Sequence, residues 1–205
     1  MVEKSLDSVK TYLDTEHGIV LNNPAFTEYV LNYGEISTYP AGYKENAGIF
    51  AHNNPWIIIG ETVLGRGDRA WEYYEKICPA YVEEKDQTLH KVEPYVYSQM
   101  TAGKDAYKPG EAKNSWLTGT AAWNWLTVSQ YIVGIRPDFN SLIVEPSLPS
   151  HIKTLSVTRK WRDALYEIHI ENRGSETVKV TVDGKELEGN RIPYTPGHHI
   201  LKVIS

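Results

Sequence analysis

The sequence predicts an α+β protein with two parts, a helical part over residues 1–140 and a small antiparallel β-sandwich over residues 141–205. Apolar residues repeat at helical spacing before Pro146, whereas apolar and polar residues alternate after it. A length of 205 residues, 41% of them hydrophobic, is enough for one sizeable core or two smaller ones.

Helix signals occupy the first part of the chain. Apolar residues recur at helical spacing over Val2–Leu13, which predicts an N-terminal helix. Asn54 is a favourable N-cap and Pro55 a favourable first helical residue for a helix through "WIIIGETVLG". After a turn at Gly65–Asp68, the segment "RAWEYYEKI" predicts a further helix, which Pro79 ends.

A long apolar segment, "SWLTGTAAWNWLTVSQYIVG", closes the helical part. It predicts a third long helix from Ser115 with Gly134 at its C-cap, and its apolar residues on nearly every side predict burial. Irregular segments are predicted over Asp14–Tyr43 and over about Asp86–Asn114. Such long loops are uncommon in a compact domain unless they are functional.

Strand signals occupy the second part. Apolar and polar residues alternate over Tyr166–Ile170 and over Val178–Val182, and Asp183-Gly184 is a tight-hairpin signal. This part contains no group of reactive side chains, so we predict that it packs against or caps the helical part.

Composition limits the classes of partner. The net charge is −5, from 21 basic and 26 acidic residues, and without a basic stripe we expect no nucleic-acid partner. The single Cys78 predicts no internal disulfide and a reducing compartment. The N-terminus lacks an apolar signal core and no run approaches bilayer length, so we expect a cytoplasmic protein with no membrane partner.

Common catalytic motifs do not occur in the sequence. There is no Gly-rich phosphate loop, CxxC, HExxH or GxSxG. Only His198 and His199 are adjacent among the seven histidines, and their strand context predicts surface or edge positions rather than metal ligands. We therefore expect neither a metal nor an organic cofactor.

One candidate segment is "KENAGIFAHNNPW", which carries Lys44, Glu45 and His52 immediately before a predicted helix. Loops at the start of helices frequently display binding groups. A single histidine before a helix is nevertheless more often structural than catalytic, so the residues alone leave both interpretations open.

The other candidate segment is "NSWLTGT", in which Thr118 and Gly119 lie at a predicted helix start. Exposed N–H groups at a helix start favour an anion, glycine lets it approach the backbone, and a threonine hydroxyl adds one hydrogen bond. A plain N-terminal cap followed by a glycine at a helix crossing explains the same residues equally well.

Several long motifs together resemble one family. "GYKENAGIFAHNNPW", "EPYVYSQM", "GEAKNSWLTGTAAW" and "YIVGIRPDFNSLIVEPSLP" occur in the order and approximate spacing of the inverting β-glucoside phosphorylases. These are the cellobiose, cellodextrin and chitobiose phosphorylases of glycoside hydrolase family ninety-four, formerly glycosyltransferase family thirty-six. The resemblance covers nearly the whole chain and weakens only in the last strands.

The resemblance implies an architecture. Enzymes of this family are several times longer, with an N-terminal β-sandwich, a helical linker, an (α/α)6 barrel and a C-terminal β-sandwich. This chain resembles the last part of the barrel followed by the C-terminal sandwich, which agrees with the change of pattern near Pro146.

The resemblance also implies roles at matching positions. His52, Thr118 and Gly119 match residues that bind phosphate, the threonine through its hydroxyl and the glycine through its backbone N–H. Lys44 and Glu45 match the pair that contacts the leaving sugar. Gln99 matches the glutamine that holds the sugar undergoing transfer.

The family chemistry explains these residue types. Inorganic phosphate, the co-substrate, attacks the anomeric carbon of a β-linked disaccharide or oligosaccharide directly, giving a sugar 1-phosphate with inversion in a reversible transfer. One carboxylic acid protonates the leaving oxygen, and no second carboxylate is needed, unlike in inverting hydrolases. The family places this acidic aspartate, and a phosphate-binding arginine, upstream of the motifs, so the acid is expected upstream of Met1. Glu45 matches a binding position rather than the acid.

Three interpretations follow. In the first, the chain is the C-terminal fragment of a glycoside phosphorylase and acts only with its missing part, through self-association or a separately encoded N-terminal part. In the second, it is a non-catalytic remnant or a carbohydrate- or phosphate-binding module without the acid. The third and weakest, a glycoside hydrolase, requires a water-activating carboxylate that the sequence does not reveal.

Overall fold

The computed structural model describes residues 1–175 and 177–205, which form helices and sheets in the α+β class that the sequence predicts. Over these residues the α-helices are α1 (Val2–Tyr12), α2 (Asn54–Val63), α3 (Gly67–Ile77), α4 (Pro79–His90) and α5 (Thr120–Thr127). A 3-10 segment covers Leu31–Thr38, and a π-helical turn covers Val128–Ile132.

Strands in the first 144 residues have two to four residues, and the three longest strands, of eight residues each, follow them. The strands are β1 (Asp14–Thr15), β2 (Gly18–Ile19), β3 (Ile49–Phe50), β4 (Ser98–Thr101), β5 (Ala112–Ser115), β6 (Ile135–Pro137), β7 (Ser141–Val144), β8 (Thr154–Trp161), β9 (Ala164–Glu171), β10 (Lys179–Val182), β11 (Lys185–Leu187), β12 (Arg191–Pro193) and β13 (Gly197–Ile204). None of the helices over residues 1–175 and 177–205 has the length and apolar character needed to span a bilayer.

The chain divides into two compact units. The first unit comprises Met1–Gly60 and Glu72–Trp125, and the second comprises Glu61–Trp71 and Leu126–Ser205. The boundary predicted between residues 140 and 141 stays a prediction.

The helices α1, α2 and α3 are confirmed, but Asn54 is used differently from the prediction. Helix α2 begins at Asn54 itself, and the Asn54 side chain forms its hydrogen bonds outside the helix. Its Oδ1 accepts from the Ile19 N–H at 2.9 Å, and its Nδ2 donates to the Phe50 carbonyl at 3.0 Å. The side chain is buried, so it links α2 to the two short strands β2 and β3.

Helix α4 was not predicted. Pro79 ends one helix and also occupies the first turn of the next, where its missing N–H costs nothing. A non-helical residue, Asp86, interrupts α4 at φ −157°. Part of the loop predicted over about Asp86–Asn114 is therefore helical, and β4 and β5 occupy more of it.

The long helix predicted from Ser115 is helical only over residues 120–132, and the prediction that it is buried on nearly every side is wrong. Helix α5 begins only at Thr120, and the preceding residues form β5 and a short loop. Trp116 has φ +68°, which an α-helix does not accommodate. Several of the apolar residues that suggested burial are exposed, namely Trp116 at 71%, Leu117 at 67% and Trp125 at 71%.

The second unit contains a five-stranded sheet, β11-β10-β13-β9-β8, and a three-stranded sheet, β12-β7-β6. The prediction of a purely antiparallel arrangement is wrong at one pair, because β13 runs parallel to β9 from Gly197 opposite Ala164 to Ile204 opposite Glu171. Between these two strands the chain passes through the β10–β11 hairpin and through β12, which pairs with β7 in the other sheet. The chain therefore returns to the larger sheet as β13, which runs in the same direction as β9.

The hairpin predicted at Asp183-Gly184 is confirmed and contains a charged pair. Asp183 and Gly184 have φ +48° and +82°, and His199 Nδ1 lies 2.8 Å from Asp183 Oδ2. This hydrogen bond raises the pKa of His199 and lowers the pKa of Asp183. His198 in turn lies 3.0 Å from Glu167, so both histidines pair with carboxylates near the surface.

The raised pKa of His199 predicts pH-dependent stability. The contribution is full below the unfolded-state histidine pKa of about 6.5 and is lost as pH rises through the higher folded-state value. We expect the fall in urea midpoint between pH 6 and pH 8.5 to be smaller in His199→Gln. Asp183→Asn keeps Oδ1 as acceptor for the Ile200 N–H and should reduce the fall equally. If both variants showed the same fall in urea midpoint as the wild type, this assignment would be refuted.

Candidate functional site

A three-stranded antiparallel sheet in the first unit brings the predicted site segments together. Its order is β3-β4-β5, with Phe50 opposite Met100 and Ser98 opposite Ser115. His52 follows β3, Gln99 lies within β4, and Thr118-Gly119 follow β5. These segments border a cleft of about 400 Å³, lined by His52, Trp56, Gln99, Leu117, Thr118, Gly119 and Trp123.

The "KENAG" turn before β3 is tightly constrained. The Gly48 N–H donates to the Lys44 carbonyl at 3.1 Å, and a side chain at Gly48 would overlap that same carbonyl oxygen. Lys44 and Ala47 both have positive φ, at +51° and +61°. The backbone is therefore folded back on itself, which fixes the place where Lys44 leaves the turn.

Asn46 holds this turn from within. It is fully buried, and its Oδ1 accepts from the Phe26 N–H at 2.7 Å. Its Nδ2 donates to the carbonyls of Phe26 and Tyr39 at 3.0 and 2.8 Å. One side chain therefore joins two separate parts of the irregular segment before β3 to the turn.

Aromatic rings form part of the cleft wall. The His52 ring meets the Phe50 ring edge to face, with centroids 5.4 Å apart. The ring centroid of Trp56, in the first turn of α2, lies 4.9 Å from the ring centroid of Trp123 in α5. Trp56 is 64% exposed. Exposed indole faces of this kind suit stacking against a sugar ring.

Thr118 and Gly119 precede α5 rather than lying inside it. The Gly119 carbonyl accepts from the Trp123 N–H at 3.1 Å, which makes Gly119 the N-cap residue. Thr118 Oγ1 accepts from the Thr120 N–H at 3.2 Å and lies 2.5 Å from Thr120 Oγ1. A Cβ at Gly119 would meet no protein atom within 4 Å. A hydroxyl, an open glycine and a helix start therefore border the same cleft.

The predicted sugar-binding residues are brought together only in part. Gln99 lines the cleft, and Lys44 reaches it through a 2.8 Å hydrogen bond from Nζ to Gln99 Oε1. Glu45 is exposed and is not among the lining residues. Lys44 itself is not a lining residue, and this hydrogen bond to Gln99 is what brings its ammonium group to the margin of the cleft. The binding roles of all six residues stay predictions.

Sequence analysis missed four residues at the site, Trp56, Leu117, Trp123 and Asn114. The two tryptophans meet only through tertiary packing, although their setting in "NNPW" and "AAWNW" is an aromatic-rich signal. The Asn114 Nδ2 donates to Gln99 Oε1 at 3.0 Å across the β4–β5 pair. No periodicity or motif in the chain pointed to that contact.

The loop between β5 and α5 is anchored to Glu93 through the side chain of Trp116. The Trp116 indole N–H donates to Glu93 Oε1 at 3.1 Å. Hydrogen bonds from Ser115, from the Glu93 backbone and from Trp116 lower the pKa of the Glu93 carboxyl. In the part of the chain that the structure describes, no three His, Cys, Asp or Glu side chains gather as metal ligands.

Comparison with known families decides the classification. The profile described as "Glycosyl hydrolase 94 superfamily, catalytic domain" matches residues 1–134, which include every residue of the cleft. The chain belongs to the glycosyl hydrolase 94 superfamily.

Three relatives that this glycosyl hydrolase 94 chain resembles are named as phosphorylases. It is 38% identical to the N,N'-diacetylchitobiose phosphorylase of Vibrio proteolyticus over 198 residues, which are 95% of the chain and 25% of that protein. It is 39% identical to the Vibrio furnissii protein of the same name over 83% of the chain and 21% of that protein. It is 31% identical to the solabiose phosphorylase of Paenibacillus borealis over 92% of the chain and 25% of that protein. The chain therefore spans about a quarter of the length of these relatives.

Proposed function

We propose that this chain supplies the phosphate side and the leaving-sugar side of a glycoside phosphorylase active site. The reaction is the reversible phosphorolysis of a β-linked disaccharide or oligosaccharide to a sugar 1-phosphate with inversion. The observation that carries the proposal is the shared cleft, because His52, Gln99, Thr118 and Gly119 come from three separate segments and line the same space. Family membership of residues 1–134 supports the same chemistry.

Phosphate binding is the role proposed for His52, Thr118 and Gly119. A phosphate dianion needs hydrogen-bond donors and positive charge. Hydrogen bonds to a charged acceptor such as phosphate are stronger than hydrogen bonds between neutral groups. The imidazole, the hydroxyl and the N-terminal end of α5 provide donors, and Lys44 adds a cation at the margin. No metal or organic cofactor is part of this proposal.

Bond changes in the proposed reaction are simple. A phosphate oxygen forms a bond to the anomeric carbon while the glycosidic carbon–oxygen bond breaks, and the leaving oxygen takes a proton from a carboxylic acid. We propose that this acid lies outside these 205 residues, in a separately encoded N-terminal part or elsewhere in an assembly. The helices then belong to an (α/α)6 barrel, and the strands after residue 140 to a β-sandwich.

The relatives favour a first substrate to test. Two of them, at 38% and 39% identity, are chitobiose phosphorylases, so we propose a β-linked disaccharide containing N-acetylglucosamine ahead of cellobiose or solabiose. The aromatic pair Trp56–Trp123 beside the cleft is suited to either kind of sugar.

Phosphate titration followed by two-dimensional amide NMR tests the binding site. We expect shifts at His52, Thr118 and Gly119, and at least about 10-fold weaker phosphate binding in His52→Ala and in Gly119→Ala, because each change disturbs a contact with a charged ligand. Gly119→Ala should fold normally, since its Cβ meets no protein atom within 4 Å. His169→Ala, at an exposed histidine of the second unit, is the control. A wild-type chain without shifts at these positions contradicts the proposal.

Activity is tested in a chimera. The matching quarter of the Vibrio proteolyticus phosphorylase is replaced by this chain, and release of N-acetylglucosamine 1-phosphate from N,N'-diacetylchitobiose and phosphate is measured. We expect turnover in the chimera, a large loss in its His52→Ala form, and none from the chain alone. A folded but inactive chimera would favour a non-catalytic binding module, and turnover by the chain alone would refute the placement of the acid.

A further inference from the structure

The amide of Gln99 receives two hydrogen bonds on the same atom. Lys44 Nζ donates to Gln99 Oε1 at 2.8 Å, and Asn114 Nδ2 donates to it at 3.0 Å. The two donors come from the "KENAG" turn and from β5, on either side of the strand that carries Gln99. The carbonyl end of this amide is therefore fully engaged by the protein.

This arrangement distinguishes the carbonyl oxygen of the Gln99 amide from its NH2 group. A lysine ammonium has donors only, so the Gln99 atom that faces Lys44 must be the carbonyl oxygen. The Asn114 atom that faces the same oxygen must then be its NH2 group. Among the described residues nothing accepts a hydrogen bond from Gln99 Nε2, and Gln99 lines the cleft. Its NH2 group is thus the end left for a ligand.

The backbone at Asn114 is specialised for this contact. Asn114 has φ +54°, a conformation that asparagine adopts more readily than most residues. The next positive-φ residue, Trp116 at +68°, is held by its indole hydrogen bond to Glu93. The unusual course of the chain after Lys113 therefore directs the Asn114 side chain at Gln99 and is anchored beyond it.

We propose that Asn114 is a positioning residue that, together with Lys44, holds the Gln99 NH2 group ready to donate to an oxygen of the sugar. The group recognised is an acceptor, either a hydroxyl oxygen or the carbonyl oxygen of an acetamido substituent. This inference rests on the proposed function, because it assumes that the cleft binds a sugar beside phosphate. It assigns a task to Asn114, which lies outside the six residues that the family motifs indicate.

A ligand-free measurement tests the positioning directly. We expect the Gln99 side-chain NH2 group to be rigid on the nanosecond timescale in the wild type, with an order parameter that falls below about 0.6 in Asn114→Gly. Glycine retains the positive φ and removes only the side chain. Asn140→Gly, at an exposed asparagine of the second unit, should leave the Gln99 signal unchanged. Equal mobility of the Gln99 amide in the wild type and in Asn114→Gly would overturn the inference.

Titrations with N,N'-diacetylchitobiose and with inorganic phosphate, each alone, test the consequence for binding. Loss of an oriented donor should weaken disaccharide binding by about 3- to 10-fold in Asn114→Gly and leave phosphate binding unchanged. Gln99→Glu keeps an acceptor for Lys44 and Asn114 but removes the donor, so it should weaken disaccharide binding at least as much. Undiminished disaccharide binding in Gln99→Glu would overturn the inference.

The two proposals fail in different ways. If the wild-type chain binds phosphate but the disaccharide leaves the Gln99 NH2 signals unmoved, the inference about Asn114 is overturned and the phosphate site stands. If neither ligand binds, the proposed function is overturned together with the inference.

Discussion

Replacing Asn46 by leucine is expected to lower the free energy of unfolding of the first unit by roughly 3–5 kcal/mol. Leucine has a similar size, so the effect comes from lost hydrogen bonds rather than from a cavity. The Phe26 N–H and the carbonyls of Phe26 and Tyr39 lose the fully buried Asn46 side chain as their partner, and leucine offers them no replacement. Each unpaired buried group costs about 1–3 kcal/mol.

Urea unfolding and amide hydrogen exchange measure this loss. Protection at Ala47 and Ile49 should fall with the unfolding midpoint, because both residues follow the turn that Asn46 holds. Asn140→Leu at an exposed site is the matched control and should change stability by no more than about 0.5 kcal/mol. A destabilisation by Asn46→Leu of under about 1 kcal/mol would show that the turn does not depend on this side chain.

Gly134→Ala is expected to destabilise the second unit by about 3–4 kcal/mol. Gly134 follows the π-helical turn and has φ +74°, which costs a residue with a side chain about 1–2 kcal/mol. A Cβ there would also overlap the Glu145 carbonyl oxygen and lie 2.5 Å from the Pro146 nitrogen. Both obstacles are backbone, so a side-chain rotation cannot relieve them.

A second glycine separates the two contributions. Gly189 has φ +82°, but a Cβ there would meet nothing within 4 Å, so Gly189→Ala should cost only about 1–2 kcal/mol. Both variants are compared by urea unfolding followed through amide NMR signals of residues in the second unit. If the two variants lost the same free energy of unfolding, the backbone at Glu145 would move aside freely. The close approach of that backbone to Gly134 would then be unimportant for stability.

Elements with local signals were predicted correctly. Helices α1 to α3 and the hairpin at Asp183-Gly184 follow from apolar spacing, from a proline at a helix start and from a turn dipeptide. These signals act between residues a few positions apart, and they operate before the chain has folded. The family motifs were informative for a different reason, because whole segments match and the match does not depend on knowing the contacts.

Errors arose where distant parts of the chain compete with local preference. The segment from Ser115 has the composition of a buried helix, but Ser115 itself pairs with Ser98 of β4, and Trp116 after it is exposed. The parallel pairing of β9 with β13 joins strands separated by a hairpin and by a strand of another sheet. Neither outcome is visible in a window of neighbouring residues.

The candidate site shows the same division. The residue types at His52, Thr118 and Gly119, and the family to which the chain belongs, follow from the order of amino acids alone. The shared cleft, the pairing of Trp56 with Trp123 and the orientation of the Gln99 amide by Lys44 and Asn114 required the folded chain. Hydrogen-bond direction and ring contact depend on distances of a few ångströms between residues far apart in sequence, and only packing of the sheet and helices sets those distances.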